Sequence, residues 1–111
     1  MTIKVKTVAD GSRNVAIQIT GFLTGTDPFE LCKVSDPRVK LTRMQWAVQE
    51  KAGLYLWWDQ GLQDLVLPVE SRNSITFDGL KAPENWEGSL WASPFGIDKP
   101  KGFLLIVEFD R

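Results

Sequence analysis

The sequence predicts an all-β fold: an antiparallel β-sandwich or flattened barrel of about eight or nine short strands, with little or no helix. Three observations predict it. No apolar period of 3.6 residues is sustained over ten residues anywhere in the 111-residue chain. Short alternating or continuous apolar segments recur instead, and Gly, Pro, Asp and Asn punctuate them every ~8–12 residues. Apolar residues make up 43% of the chain, with five Trp and six Phe, so the material for one core is present. The length suits a single domain over residues 1–111.

The elements follow in order. Ile3 to Val8 alternates apolar with lysine, and Ala9-Asp10-Gly11-Ser12 is turn chemistry. Asn14 to Thr20 is the return strand, with Val15, Ile17 and Ile19 on one face and Gly21 ending it. Thr24 to Pro28 is a loop. Glu30 to Val34 reads as a short strand rather than a helical turn, because Ser35-Asp36-Pro37 stops it early. Val39 to Val48 is a strand with Met44, Trp46 and Val48 on one face.

Leu54 to Asp59 is apolar at every position but the last. Leu54, Leu56 and Trp58 point one way; Tyr55, Trp57 and Asp59 point the other. A strand apolar on both sides is expected to be central and covered twice. Asp59-Gln60-Gly61 turns into Leu62 to Val69, where Pro68 argues for an edge or strand end. Ser71 to Ser74 reads as a polar turn and Ile75 to Phe77 as a short strand ended by Asp78-Gly79. Ala82 to Gly88 is a loop carrying Trp86. Ser89 to Ala92 is a short strand, Ser93 to Gly102 a long loop, and Phe103 to Phe109 the closing strand.

The chemistry of the chain is sparse. It contains no histidine, so the commonest general base and metal ligand is missing. Cys32 is the single cysteine, with no partner for a disulfide or a zinc site, and reads as a small buried residue. Asp59 with Asp64, and Glu84 with Glu87, are the carboxylate pairs that glycoside hydrolysis would require, but all four sit where turns place solvated acids. No enzyme activity, cofactor or metal is expected.

The net charge of −1 and the absence of adjacent basic residues argue against a nucleic-acid surface. Lys4, Lys6, Arg13, Lys33, Arg38, Lys40 and Arg43 crowd the first half and read as a solvated face. No signal peptide and no membrane-spanning run is recognisable, so synthesis in a cytoplasm without secretion or membrane insertion is expected.

The aromatic and aliphatic residues outside the main pattern are the remaining signal. Tyr55, Trp57, Leu104 and Ile106 fall opposite the better-patterned apolar sets. If contiguous they would expose on the order of 500 Å², more than a monomer usually leaves open. With Phe22, Phe29, Trp86 and Phe95, chosen for loop position or apolarity, they are the expected protein-interface residues. A second reading uses Trp57, Trp86 or Trp91 as stacking platforms for sugar rings.

Several segments together resemble a known group. Asp10 to Gly21 is similar to the opening hairpin of small structural proteins of tailed bacteriophages. Leu54 to Asp59, Phe77-Asp78-Gly79-Leu80 and Phe103 to Phe109 recur in such proteins in the same order. Trp86-Glu87-Gly88-Ser89-Leu90 departs from the Gly-Asp-Ile pattern that the resemblance places there. The resemblance implies an all-β virion protein of the capsid decoration or cement type, made in the host bacterial cytoplasm. It implies no catalytic residue. Its expected partners are the major capsid protein or another virion protein, with homo-oligomers on the capsid.

Overall fold

The computed structural model describes residues 3–11 and 13–110. They form nine strands and no helix: β1 (Ile3–Asp10), β2 (Asn14–Leu23), β3 (Phe29–Lys33), β4 (Lys40–Val48), β5 (Gly53–Trp57), β6 (Leu65–Glu70), β7 (Arg72–Lys81), β8 (Ser89–Phe95) and β9 (Lys101–Asp110). Two antiparallel sheets result, one ordered β1-β2-β9-β4-β7 and the other β3-β8-β5-β6. Apart from β1, the order is that of a jelly roll: the chain crosses between layers at each connection except the β5–β6 hairpin, and each sheet holds four interleaved strands. The first strand widens one layer to five.

Alternation in the strands builds the core between the layers. Val15, Ile17 and Ile19 of β2, Leu105, Val107 and Phe109 of β9, and Leu41 and Met44 of β4 point inward from the five-stranded sheet. Leu31 of β3, Leu90 and Ala92 of β8, Leu54 and Leu56 of β5, and Val69 of β6 meet them from the other. Among the described residues no buried side-chain nitrogen or oxygen lacks a hydrogen-bond partner, as buried polar groups require. Lys101, 5% exposed, keeps its ammonium 3.5 Å from Asp98.

The opening hairpin, the short third strand and the inward faces of β4 and β9 are present as expected, but β1 runs on through Ala9 and Asp10, β2 continues through Gly21 to Leu23, and the third strand spans Phe29–Lys33 rather than Glu30 to Val34. Ser12, expected in the first turn, lies outside the described residues. Four further expectations need correction. Residues 72–74 are strand, and only Ser71, at φ 60°, makes the turn from one sheet into the other. Asp78-Gly79 is interior to β7, where Gly79 adopts φ 71° opposite an irregularity between Leu41 and Arg43. That is a bulge, not a strand end. The eighth strand runs through Pro94 to Phe95, so the following loop is shorter than expected. The sixth begins at Leu65, because the Asp59 carboxylate accepts the N–H groups of Gln63 and Asp64 and folds 59–64 into a loop.

The expectation for the aromatic stretch also needs revision. The fifth strand is interior to its sheet, between β8 and β6. Leu54 and Leu56 are buried, but the face carrying Tyr55 and Trp57 looks outward, since a two-layer fold has no third layer to cover it.

Candidate functional site

Alternation lays one continuous apolar face on the outside of the four-stranded sheet. Trp91, Ser93 and Phe95 of β8 lie beside Trp57, Tyr55 and Gly53 of β5, and Leu65 and Pro68 of β6 come next. The Tyr55 ring lies 4.7 Å from that of Phe95 and 6.4 Å from that of Trp57. The Trp57 indole N–H donates to Ser93 Oγ at 2.9 Å, which ties the ring to the neighbouring strand. Gly53 is what lets Phe95 lie across the strand: a Cβ there would overlap Phe95 Cζ and come within 2.7 Å of the Val69 carbonyl oxygen. Tyr55 is 40% exposed and Leu65 47%.

A cleft of about 670 Å³ continues from this face at the Trp91 end. Trp58 and Trp86 line its inner side, and Glu30, Lys33, Asp59, Asp64, Glu84 and Glu87 surround it together with Gln60 and Asn85. The two carboxylate pairs seen in sequence therefore share one cleft, which their spacing did not reveal. Asp59 is engaged by the backbone of its own loop. Glu30, Asp64, Glu84 and Glu87 are exposed to water, whereas acid–base work by paired carboxylates draws on burial of one member. No group of three or more His, Cys, Asp or Glu is placed to hold a metal ion among the described residues.

Trp86 belongs to the core. It is 7% exposed, packs edge-on against Trp58 at 5.0 Å, stacks on Phe109 at 6.1 Å, and donates its indole N–H to the Ser89 carbonyl at 2.7 Å. Its loop folds back over the end of the sandwich. Phe29 is half-buried, with its ring 6.4 Å from that of Phe103.

The outer face of the five-stranded sheet is different in kind. Leu104 and Ile106 of β9 lie there between Thr20 and Gln18 of β2 and Ala47 and Gln45 of β4. Phe22, 60% exposed, stands at one end opposite Gly102. Lys4, Lys6, Lys40, Arg43, Arg72 and Lys81 take outward positions in the register, against Glu108 and Asp110. The clustering of cations in the first half of the sequence thus has a spatial counterpart. Arg43 and Glu108 pair at 3.8 Å across an exposed contact. Tyr55 and Trp57 are consequently on the opposite side of the molecule from Leu104 and Ile106. The four residues are therefore not contiguous but belong to two separate surfaces.

Burial pushes the Cys32 thiol up to about 12, with the nearby Glu30 charge adding to the shift. A thiol held protonated is a poor nucleophile and metal ligand.

No family model and no curated protein matches the chain. Among solved structures, it is similar to a chain of a Cyanophage Pam1 capsid asymmetric unit, with a TM-score of 0.53 and 11% identity over 97% of this chain and 84% of that one. At this identity the likeness is one of fold.

Proposed function

We propose that this chain is a structural subunit of a tailed-phage virion, and within that role a capsid decoration protein that bridges neighbouring shell subunits. The observation carrying the proposal is the likeness of nearly the whole chain, 97%, to a chain of a phage capsid unit. Jelly rolls serve in viral shells among other roles, and a fold by itself does not fix function. Two exposed apolar surfaces on opposite sides add support, because a subunit set into a lattice needs contacts on more than one side. Several modest interfaces per copy suffice when many copies act together. The major capsid protein or another virion protein is the partner this role calls for.

The test is the particle itself. Intact virions from the source phage, purified on a density gradient, should contain this chain at a copy number stoichiometric with the shell. Its absence from particles that contain the other structural proteins rules the proposal out.

One observation favours a second reading, a carbohydrate-binding jelly roll. Trp91 lines a cleft with Gln60, Asn85 and several carboxylates, the mixture of aromatic face and polar groups that sugar rings require. Trp57 and Trp91 are the available platforms, since Trp86 is enclosed. Binding on a glycan array that is lost in Trp91→Ala supports this reading, and a blank array removes it.

A further inference from the structure

The two outer faces of the sandwich carry opposite charge, and each carries apolar surface that none of the described residues covers. On the four-stranded side, the aromatic face runs into a cleft edged by five carboxylates, Glu30, Asp59, Asp64, Glu84 and Glu87, and one lysine, Lys33. On the five-stranded side, six cations face outward against Glu108 and Asp110, with Asp78 exposed at the β7 bulge, around Phe22, Leu104 and Ile106. The net charge of the chain is −1, so the two faces are strongly polarised about a near-neutral mean.

We infer that the partner fitting each face is the other face of a second copy of this chain, in a head-to-tail contact. Complementary potentials favour this register: carboxylates meet ammonium and guanidinium groups, and an Arg side chain can stack on Trp57 or Tyr55. A two-fold arrangement sets each face against itself, acid on acid or cation on cation, and is opposed by the same charges. A contact between two different faces of identical chains closes into a ring if the rotation allows and otherwise extends into a filament. This inference stands on the charge and apolar distribution alone and does not depend on where the chain works.

Sedimentation equilibrium of the purified chain tests it. In about 50 mM salt the average mass should rise above 12.5 kDa with concentration, and in about 500 mM salt it should fall back as the charges are screened. Lys4→Glu with Lys6→Glu cancels the net positive charge of the basic face, and Glu84→Lys with Glu87→Lys cancels the net negative charge of the acidic one. All four positions are exposed, so both variants should keep the wild-type circular dichroism spectrum. Each variant alone should stay at monomer mass.

Mixed in equal amounts, the two variants still hold one intact basic face and one intact acidic face between them. They should form a one-to-one complex that does not grow further. Arg38→Glu with Lys99→Glu makes the same net change in charge away from both faces and should associate as the wild type does. A wild type that stays monomeric at ~1 mM, within reach of contacts worth only ~4 kcal/mol, overturns the inference. So does a mixture that remains two monomers, or a control pair that abolishes association equally.

Discussion

Replacing Trp86 with alanine separates its role as a core residue from its expected role as a surface contact. With 93% of its surface enclosed, the ring removes on the order of 200 Å² from water, or about 5 kcal/mol at 25 cal/mol per Å². Alanine recovers a small part of that, the cavity collapses only in part, and Trp→Ala changes in cores cost about 3–5 kcal/mol. Losing the indole donor leaves the Ser89 carbonyl without its partner and adds about 1 kcal/mol. Against a total stability of roughly 5–15 kcal/mol, the variant stands near the edge of folding. Its Tm should drop by about 20 °C. Trp86→Phe keeps the contacts with Trp58 and Phe109 and should lose about half as much. Phe22→Ala is the control: at 60% exposure it should shift Tm by no more than about 3 °C. Calorimetry or a far-ultraviolet melt reads all three. A Trp86→Ala chain that melts within a few degrees of wild type, or a Phe22→Ala chain that falls as far, refutes the burial assignment.

Other consequences are narrower. Gly53→Ala should cost about 2 kcal/mol in urea unfolding, since the new methyl meets both the Phe95 ring and the Val69 carbonyl. Combining it with Phe95→Ala should give less than the sum of the two, because the ring half of the clash is already gone. Cys32 in the native chain should not react with a thiol reagent at pH 8, and one thiol should appear in denaturant. Above pH 9 the unfolded thiol ionises while the folded one holds its proton to about 12, so the folded state binds more protons and stability falls as pH rises. Cys32→Ala should lose that part of the slope, at most ~1.4 kcal/mol per pH unit, in parallel melts.

The fold was legible wherever burial imposes alternation on the sequence. The inward residues of β2, β4 and β9 are covered by the opposite sheet, and their period of two is clear in the residues themselves. It faded where one layer outgrows the other. Arg72 to Ile75 is exposed on both faces at the end of its sheet, so no apolar pattern marks it; hydrogen bonds to β4 alone make it strand. The strand character of Pro94 and Phe95 was masked by proline and the glycine after them, although Pro94 is buried opposite Leu54. Extending that strand would have aligned Trp91, Ser93 and Phe95 on one face. The site was legible as a set of side chains and not as an arrangement. Which of Tyr55, Trp57, Leu104 and Ile106 share a surface depends on sheet membership, a long-range property that local sequence does not carry.

Each of the four sheet edges carries something that opposes pairing with another strand. Lys4 and Lys6 of β1 would meet the same cations in a second β1, and an irregularity between Thr7 and Ala9 breaks its line. In β7 the bulge around Gly79 does the same. Pro68 in β6 has no N–H to give, and a sheet tolerates it where the missing donor faces the free side. The remaining edge, β3, is five residues long with a register shift between Glu30 and Cys32. Edge-to-edge growth is therefore disfavoured on every side, while both broad faces are left with apolar side chains and opposite charge. Association of this chain with any partner is therefore directed to its faces. Charge reversal on a face should then weaken it far more than proline placed in the free edge of β1.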